Sequence, residues 1–382
     1  MSKKKIALIV VVTALFSSIL TIIGLMKILG LGGEKTTDLL RFFGVMRMIE
    51  TRYVTEVDSS TLMDGAIDGM VKSLGDPHSI YMKTSMYKSL KEHTAGAFGG
   101  IGVTMGFKDD KVTIMSILED TPGEKAGLKV GDEIMAVDGT PVTDYQPEEV
   151  ALHIRGEAGT EVKLTIHRAG EEDTDYNIER DMIKVRSAKG KMIDDTHMGY
   201  IRIASFGENT GTEFKEEYDK LKEAGMTGLI LDLRQNPGGL ITSCVEVADM
   251  LVPKGNIVSV VQRDGSREEY DSSLEESFLP IVVLIDENSA SASEILAGAL
   301  QDRGAATIVG TKSYGKGSVQ IVVPLFHDDG LKLTIAKYYT PSGKCIDGVG
   351  IEPDITVNLP EDMHEDTQLK KAKDVLQQKI NE

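Results

Sequence analysis

The residues best suited to chemistry lie in a run of alternating serines and alanines that contains Ser289, Ser291 and Ser293. The apolar residues 279–285 before the run predict a buried strand, and the helical periodicity after it ends at Gly304. The serines therefore lie where a strand leads into a helix. A helix N-terminus offers unpaired N–H groups and a positive dipole end. A serine nucleophile needs both, because negative charge develops on the carbonyl oxygen that it attacks.

The same residues also have a purely structural interpretation. Ser291 and Glu294 form the S-x-x-E pattern of a capping box, in which the serine only satisfies a backbone N–H at the helix start. These residues alone leave both interpretations open.

A lysine follows at the entrance to the next strand. Lys316 lies between Gly315 and Gly317, where backbone can approach closely, and the strand that begins at residue 318 places Lys316 and Gln320 on one face. Burial disfavours the charged form of a lysine, and a lysine that serves as a general base near neutral pH must lose its proton readily. The pattern thus predicts a serine nucleophile with a lysine base.

Together, S-A-S-A-S-E-I and S-Y-G-K-G-S-V-Q resemble the C-terminal processing peptidases, also called tail-specific proteases. Members of that family are serine proteases that use a Ser–Lys pair. The resemblance implies that Ser291 is the nucleophile, that Lys316 is the base and that Gln320 orients the lysine. It implies neither a metal nor a cofactor.

A glycine pair follows a second predicted buried strand, residues 228–233. Glycines in such a place free backbone N–H groups to face a ligand, although a tight turn before the next helix is the structural alternative. The resemblance implies that Gly238 or Gly239 donates one hydrogen bond to the oxyanion and that the N–H of Ala292 donates the other.

Residues 97–182 resemble a PDZ domain. The opening segment Gly99, Gly100, Ile101 and Gly102 is followed by A-G-L, G-D-E-I and V-D-G motifs in the order typical of that module. Consecutive N–H groups of a glycine-rich loop can hold a terminal carboxylate, while the peptide adds a strand to an open sheet edge. We therefore expect partners that are proteins or peptides with accessible C-termini.

The N-terminus predicts a membrane anchor in residues 1–33. Three lysines at 3–5 precede the uncharged residues 6–26, which as a helix of ~1.5 Å per residue would span about 30 Å of hydrocarbon. The lysines favour a cytoplasmic N-terminus and an extracytoplasmic remainder. A cleaved signal peptide is the rival, but its apolar region is usually shorter.

The rest of the chain predicts an α/β protein of several domains. Residues 34–96 predict short helices, for which a dimer surface is the functional alternative to plain packing. Residues 183–362 alternate strands and helices and form the predicted protease core. The resemblance implies a crotonase-like αβ spiral there. Residues 363–382 predict a charged, helical tail.

Composition excludes several classes of protein. The net charge of −18 argues against nucleic acid as a partner, because phosphate binding needs a basic face. Two distant cysteines, Cys244 and Cys345, exclude a disulfide-dense scaffold, and we expect both to be unpaired.

The sequence thus predicts an extracytoplasmic serine endopeptidase that recognises protein C-termini through a PDZ domain. A PDZ-containing binding protein on an inactive protease fold is the first alternative, although both the serine and the lysine are present. An acyl-CoA enzyme on a crotonase-like core is the second, and the predicted export argues against it. A Ser–His–Asp variant that uses His327 is the third, but a turn between strands is the better prediction for that histidine.

Overall fold

The structure is a computed structural model. It describes residues 33–108, 111–145, 147–193, 196–275, 279–359 and 365–382, together with positions 5, 12–18, 20, 21 and 24. The chain divides into two compact units, Met1–Tyr81 and Met82–Glu382.

The first unit contains two helices where the apolar periodicity predicts them. Helix α1 spans Gly33–Arg52, helix α2 spans Ser59–Lys72, and strand β1, Ile80–Met82, lies at the boundary between the units. Helix α2 ends shortly before Gly75, whose φ of 66° favours glycine and stops the helix.

The predicted membrane anchor, residues 6–26, lies largely outside the described residues. Among those that are described, no helix combines the length and the apolar character that crossing a bilayer requires.

The second unit begins with helix α3, Thr84–Ala95, and continues into a β-rich domain. Its elements are β2 (Ala97–Gly100), β3 (Val103–Lys108), β4 (Lys111–Ile117), α4 (Pro122–Lys125), β5 (Glu133–Val137), β6 (Thr140–Pro141), α5 (Pro147–Ile154), β7 (Glu161–His167), β8 (Thr174–Glu179) and β9 (Asp181–Lys184). Strands β3, β4, β5, β7 and β8 form an antiparallel sheet in that order, and β2 pairs with β9 at the entrance and exit of the domain. Helix α5 and the β7–β8 hairpin lie within residues 97–182, the range that resembles a PDZ domain.

A mostly parallel sheet forms the centre of the following domain. Its elements are β10 (Ala188–Met192), β11 (Met198–Ile203), α6 (Thr210–Glu223), β12 (Gly228–Asp232), α7 (Ile241–Asp249), β15 (Ile281–Ile285), α8 (Ala292–Asp302), β16 (Ala306–Gly310) and β19 (Ile355–Thr356). The strand order is β10–β11–β12–β15–β16–β19, parallel except for β10 against β11. Every residue of β12 and β15 is buried, which explains their continuous apolar runs. The mixed α/β class is therefore confirmed.

An antiparallel sheet packs beside this one and was only partly predicted. It contains β13 (Gly255–Gln262), β14 (Arg267–Ser272), β17 (Ser318–Pro324) and β18 (Gly330–Tyr339), with β18 between β17 and β13. The sequence predicts β17 and β18 but gives no prediction for the β13–β14 hairpin.

The predicted tail contains helix α9, Thr367–Asn381. Its Ala372, Val375 and Leu376 are buried against Ile230 and Val282 of the parallel sheet. The charged residues therefore occupy only the outer side of a helix that completes the core.

Candidate active site

The three serines of the run differ in their surroundings. Ser289 and Ser293 are fully buried. The Ser289 hydroxyl donates to the carbonyl of Leu233 at 2.9 Å, and the Ser293 hydroxyl donates to the carbonyl of Asn236 at 3.0 Å. Ser291 is instead half-buried. Two of the serines thus join neighbouring loops, and only the middle one is accessible.

The backbone of Ser291 is strained. It lies between the buried strand β15 and helix α8, and it has φ 55° and ψ −115°, a conformation that a serine rarely adopts. Its N–H donates to Glu294 Oε2 at 2.8 Å, and both halves of the predicted capping box are present. Capping and presentation of the hydroxyl are compatible, because a hydroxyl that accepts a hydrogen bond keeps its own proton to give to a base. Strain of this kind clusters at functional sites.

Glu294 also holds the loop that carries the lysine, which we call the base loop (residues 311–317). The glutamate is 1% exposed. Its Oε2 also accepts the Lys316 N–H at 2.9 Å, and its Oε1 accepts the Gly315 N–H at 2.7 Å and the Ser313 hydroxyl at 2.5 Å. One carboxylate therefore binds the backbones of both Ser291 and Lys316.

Tyr338, near the end of β18, makes a second connection between the same two residues. Its hydroxyl donates to the carbonyl oxygens of Ser291, at 3.2 Å, and of Lys316. Its N–H donates to the carbonyl of Gly317 at 3.0 Å. Burial raises the pKa of Tyr338 well above its usual value, and the negative charge of Glu294 adds to the increase. The hydroxyl consequently remains a donor at neutral pH.

The glycines on either side of Lys316 permit close packing of the base loop. A side chain at Gly317 would lie 2.4 Å from the Asp347 nitrogen, so only glycine fits there. Lys316 itself is half-buried. The amide nitrogen of Gln320 donates to Ser318 Oγ at 2.9 Å and to Thr334 Oγ1 at 3.3 Å. Its role in orienting the lysine stays a prediction.

The predicted glycine loop (residues 234–240) packs directly against the nucleophile. A side chain at Gly238, which has φ 96°, would lie 2.7 Å from Ser291 Cβ and 2.9 Å from the Ala292 nitrogen. The Gly238 N–H already donates to Asn236 Oδ1 at 2.8 Å. Within the described residues, the N–H groups of Gly239 and Ala292 have no acceptor. Of the two glycines, Gly239 is thus the one whose N–H is free to donate, and its role at the oxyanion stays a prediction.

Known protein families match this chain over most of its length. A sequence profile of peptidase family S41 matches residues 197–357, one of a PDZ domain matches 99–178, and one of the N-terminal domain of the activating protease CtpB matches 32–86. A carboxy-terminal-processing protease of Bartonella bacilliformis is 42% identical over 333 residues, which cover 85% of this chain and 76% of that protein. The chain belongs to the carboxy-terminal processing proteases.

Two further members of the family support the assignment. The processing protease CtpA of Bacillus subtilis is 38% identical over 365 residues, covering 94% of this chain and 78% of that protein. The solved structure of a photosystem II D1 C-terminal processing protease has a TM-score of 0.51 and 29% identity, and covers 88% of this chain and 96% of that one. This carboxy-terminal processing protease is thus a serine-type peptidase with a PDZ domain.

The PDZ domain of the protease has an open groove beside its glycine-rich segment. A cavity of about 370 Å³ is lined by that segment and by apolar side chains that include Ile154. Ile101 is buried, and within the described part of the chain the N–H groups of Ile101 and Gly102 have no acceptor. The Gly99 carbonyl accepts the Gly156 N–H at 3.1 Å, and Gly100 pairs with β9.

The histidine and the two cysteines that the sequence analysis singled out have structural surroundings. His327 is exposed and lies in a 3₁₀ turn between β17 and β18, as the sequence predicts. Cys244 and Cys345 are unpaired, as expected, and the buried Cys244 thiol donates to the carbonyl of Ala292 at 3.2 Å.

Sequence reasoning missed Glu294 as a link between loops, and it missed Tyr338 and Asn236 entirely. Glu294 has a sequence signal, the capping box, but that pattern shows only the local bond. No motif marks Tyr338 or Asn236.

Proposed function

We propose that this protease cleaves peptide bonds with Ser291 as nucleophile and Lys316 as general base. Ser291 Oγ attacks the scissile carbonyl, and the Lys316 amine accepts its proton and returns it to the leaving amine. The N–H groups of Gly239 and Ala292 donate to the oxyanion, and Gln320 orients the lysine. Water then hydrolyses the acyl-enzyme ester, with the lysine again as base.

One observation carries the proposal. Of the three serines, only Ser291 has an accessible side chain, and its backbone shares Glu294 and Tyr338 with the backbone of Lys316. A capping serine needs no connection to a lysine in another loop, whereas a nucleophile needs its base at a defined position.

Digestion of casein and of a tailed peptide tests the nucleophile. We expect Ser291→Ala to abolish cleavage and the labelling of the protein by a fluorophosphonate. Ser289→Ala and Ser293→Ala should keep a measurable rate, because their hydroxyls only join loops. Full activity of Ser291→Ala would refute the assignment.

We further propose that the PDZ groove binds the free C-terminus of a substrate and that this binding activates the protease. The guanidinium of Arg155 lies 4.2 Å from the centre of the Phe98 ring. Both residues line the groove and also a second cavity of about 190 Å³, which core residues Ser205 and Glu213 line as well. A ligand in the groove can therefore act on side chains that face the core, provided that it binds the active state better than the resting state.

A reporter peptide without a tail separates activation from simple tethering. An uncleavable tail peptide with a free carboxylate should increase reporter turnover, and its amidated form should not. If saturating peptide leaves turnover unchanged or lowers it, the groove only tethers substrates.

The predicted location is also part of the proposal. We propose that residues 6–26 anchor the chain in the cell membrane, with the protease domain outside the cytoplasm. Separately, we propose that the core has the crotonase-like spiral. The apolar run after three lysines supports the anchor. The full chain should stay with membranes through a carbonate wash, and protease added outside the cell should degrade residues after Gly33. A soluble chain with a new N-terminus near residue 30 would indicate a cleaved signal peptide instead.

Helices α1 and α2 are proposed as a contact for a second copy of the chain. Apolar side chains of α1, including Leu40, Phe43 and Met48, are exposed. Sedimentation of the full chain in detergent would show a dimer, and replacement of Phe43 by Asp should yield a monomer.

A further inference from the structure

The C-terminal helix contacts the active-site region through a single arginine. Arg234 opens the glycine loop, and its guanidinium makes two bonds to the Asp366 carboxylate, at 2.8 and 2.9 Å. Asp366 is the N-cap of helix α9 and accepts the Leu369 N–H at 2.9 Å. Gln368, 1% exposed, also accepts from Arg234, at 3.1 Å. The start of α9 is therefore joined to the start of the glycine loop.

The other side of the same guanidinium faces the parallel sheet. Arg234 bonds the buried Asp232, at the end of β12, with distances of 2.6 to 3.2 Å. The Tyr200 hydroxyl donates to the same carboxylate at 2.7 Å. Asp232 holds Arg234 to the end of the strand. Asp366 binds the same guanidinium from the side of helix α9 with two parallel hydrogen bonds, and this bidentate contact fixes the direction of the side chain.

The conformation of the residue after Arg234 explains why the Arg234–Asp366 bonds matter. Gln235 has φ 59°, which is unfavourable for a residue with a side chain, so the chain must be held on both sides of it. Its own N–H and side-chain amide donate to Asp286, at 2.9 and 2.6 Å. Asn236 then donates to the carbonyl of Ile203 at 2.8 Å and accepts the Gly238 N–H. Each of the three consecutive residues 234–236 is thus held by hydrogen bonds of its own, from Asp366 at one end to Gly238 at the other.

We propose that Asp366 is a positioning residue for the oxyanion-binding glycine loop. By gripping Arg234, it keeps the strained loop in the conformation that directs the Gly239 N–H toward the reacting carbonyl. The inference rests on the proposed Ser291 chemistry and adds to it a contribution from the far end of the chain. Helix α9 is accordingly part of the catalytic apparatus as well as a cover for the sheet.

The charge of Asp366 suits this role at neutral pH. Burial acts to raise its pKa, but the bonds and charge of Arg234 together with the backbone N–H groups of Leu369 and Gln368 act against burial, and the net pKa is below the usual value. The carboxylate is half exposed, with 40% of its side-chain surface accessible against 13% for Arg234. We therefore expect a moderate effect from its removal, since solvent screens a pair at this depth in part.

The substitution Asp366→Asn tests the proposal cleanly. Asparagine is as good an N-cap as aspartate, so helix α9 should keep its start while the charged bonds to Arg234 are lost. We expect kcat for a tailed peptide to fall roughly tenfold, because small displacements of positioning groups are costly, with KM within about twofold of the wild type. The matched control is Glu365→Gln, which breaks the exposed Glu365–Lys370 pair of 2.7 Å and should keep the wild-type kcat.

Fluorophosphonate labelling separates positioning from unfolding. In Asp366→Asn, the final labelled fraction should equal that of the wild type while the labelling rate falls with kcat. In an Arg234→Lys background, which lacks the planar fork, Asp366→Asn should lower kcat much less, because both changes act on one loop.

Three results would overturn the inference. The first is a wild-type kcat in Asp366→Asn. The second is a final labelled fraction of Asp366→Asn that falls in parallel with its kcat. The third is an equal loss of kcat from Asp366→Asn in the wild-type and the Arg234→Lys backgrounds. Failure of the proposed function would give a different result: Ser291→Ala would cleave the tailed peptide as fast as the wild type.

Discussion

The nucleophile loop (residues 286–291) and the base loop reach the site by different means. The nucleophile loop lies between two buried elements, β15 and α8, and the Ala290 N–H donates to the Asn236 carbonyl of the adjacent glycine loop at 3.0 Å. The base loop connects β16 to β17, a strand that pairs only with β18 in the described part of the chain. Glu294 and Tyr338 supply side-chain bonds that hold it at the serine.

The nucleophile loop and the base loop therefore differ in how strongly a single substitution can displace them. The nucleophile is placed by the junction of β15 and α8. The base loop is held by backbone bonds, such as that from the Gly348 N–H to the Gly315 carbonyl, and also by two buried side chains, so we expect single substitutions of those side chains to displace the lysine without unfolding the core.

The largest expected effect comes from the lysine itself. Lys316→Arg keeps a positive charge but cannot accept a proton, so kcat should fall by about 10⁴-fold or more while the fold stays intact. Peptide turnover together with thermal unfolding measures both. Lys312→Arg is the matched control in the same loop, because Lys312 is exposed and pairs at the surface with Glu352 at 2.7 Å. Appreciable turnover by Lys316→Arg would remove the lysine from proton transfer.

The next effect concerns the carboxylate shared by both loops. All four partners of Glu294 donate to it, and the amide of Glu294→Gln would turn a donor toward some of them. We expect a loss of about 2–4 kcal/mol in the free energy of unfolding and a kcat lower by roughly 10²-fold.

Urea denaturation and initial rates test this expectation. Glu287→Gln serves as the control, since Glu287 is exposed and accepts the Thr311 hydroxyl at 3.0 Å. A stable Glu294→Gln enzyme with the wild-type rate would show that the base loop keeps its conformation without the Glu294 carboxylate.

The smallest effect concerns one hydroxyl. Tyr338→Phe keeps the buried ring and removes only the donor to Ser291 and Lys316. We expect a cost of about 1–2 kcal/mol in stability and a kcat roughly five- to tenfold lower with little change in KM. Tyr339→Phe, one position along the strand, is the control. An equal loss in both variants would contradict a specific role for the Tyr338 hydroxyl.

The sequence predicts the nucleophile side of the site better than the base side. Periodicity locates β15 and α8, and therefore the serine at their junction, because both elements are long, buried and local. The support of the base loop is not local. Glu294 binds donors that lie about twenty residues further along, and Tyr338 comes from a strand in another sheet. No spacing rule connects such residues.

The glycine loop shows the same limit within one motif. The glycine pair after a buried strand is visible in the sequence, but which N–H is free depends on the Asn236 side chain. Likewise, Arg234 is visible, but its partner Asp366 lies 132 residues away in what the sequence presents as a charged tail. Side-chain partners across such distances become apparent only when the chain is folded.

The hydrogen bond between Glu294 and the Ser291 backbone has a practical consequence. Glu294 Oε2 and the Tyr338 hydroxyl bind the N–H and the carbonyl of Ser291, and neither of these bonds uses the serine hydroxyl. Alanine at this position should therefore leave the site assembled and able to hold a polypeptide that it cannot cut. Such a variant, produced in cells that lack the active enzyme, is a trap, and the proteins recovered with it would be the natural substrates of the protease.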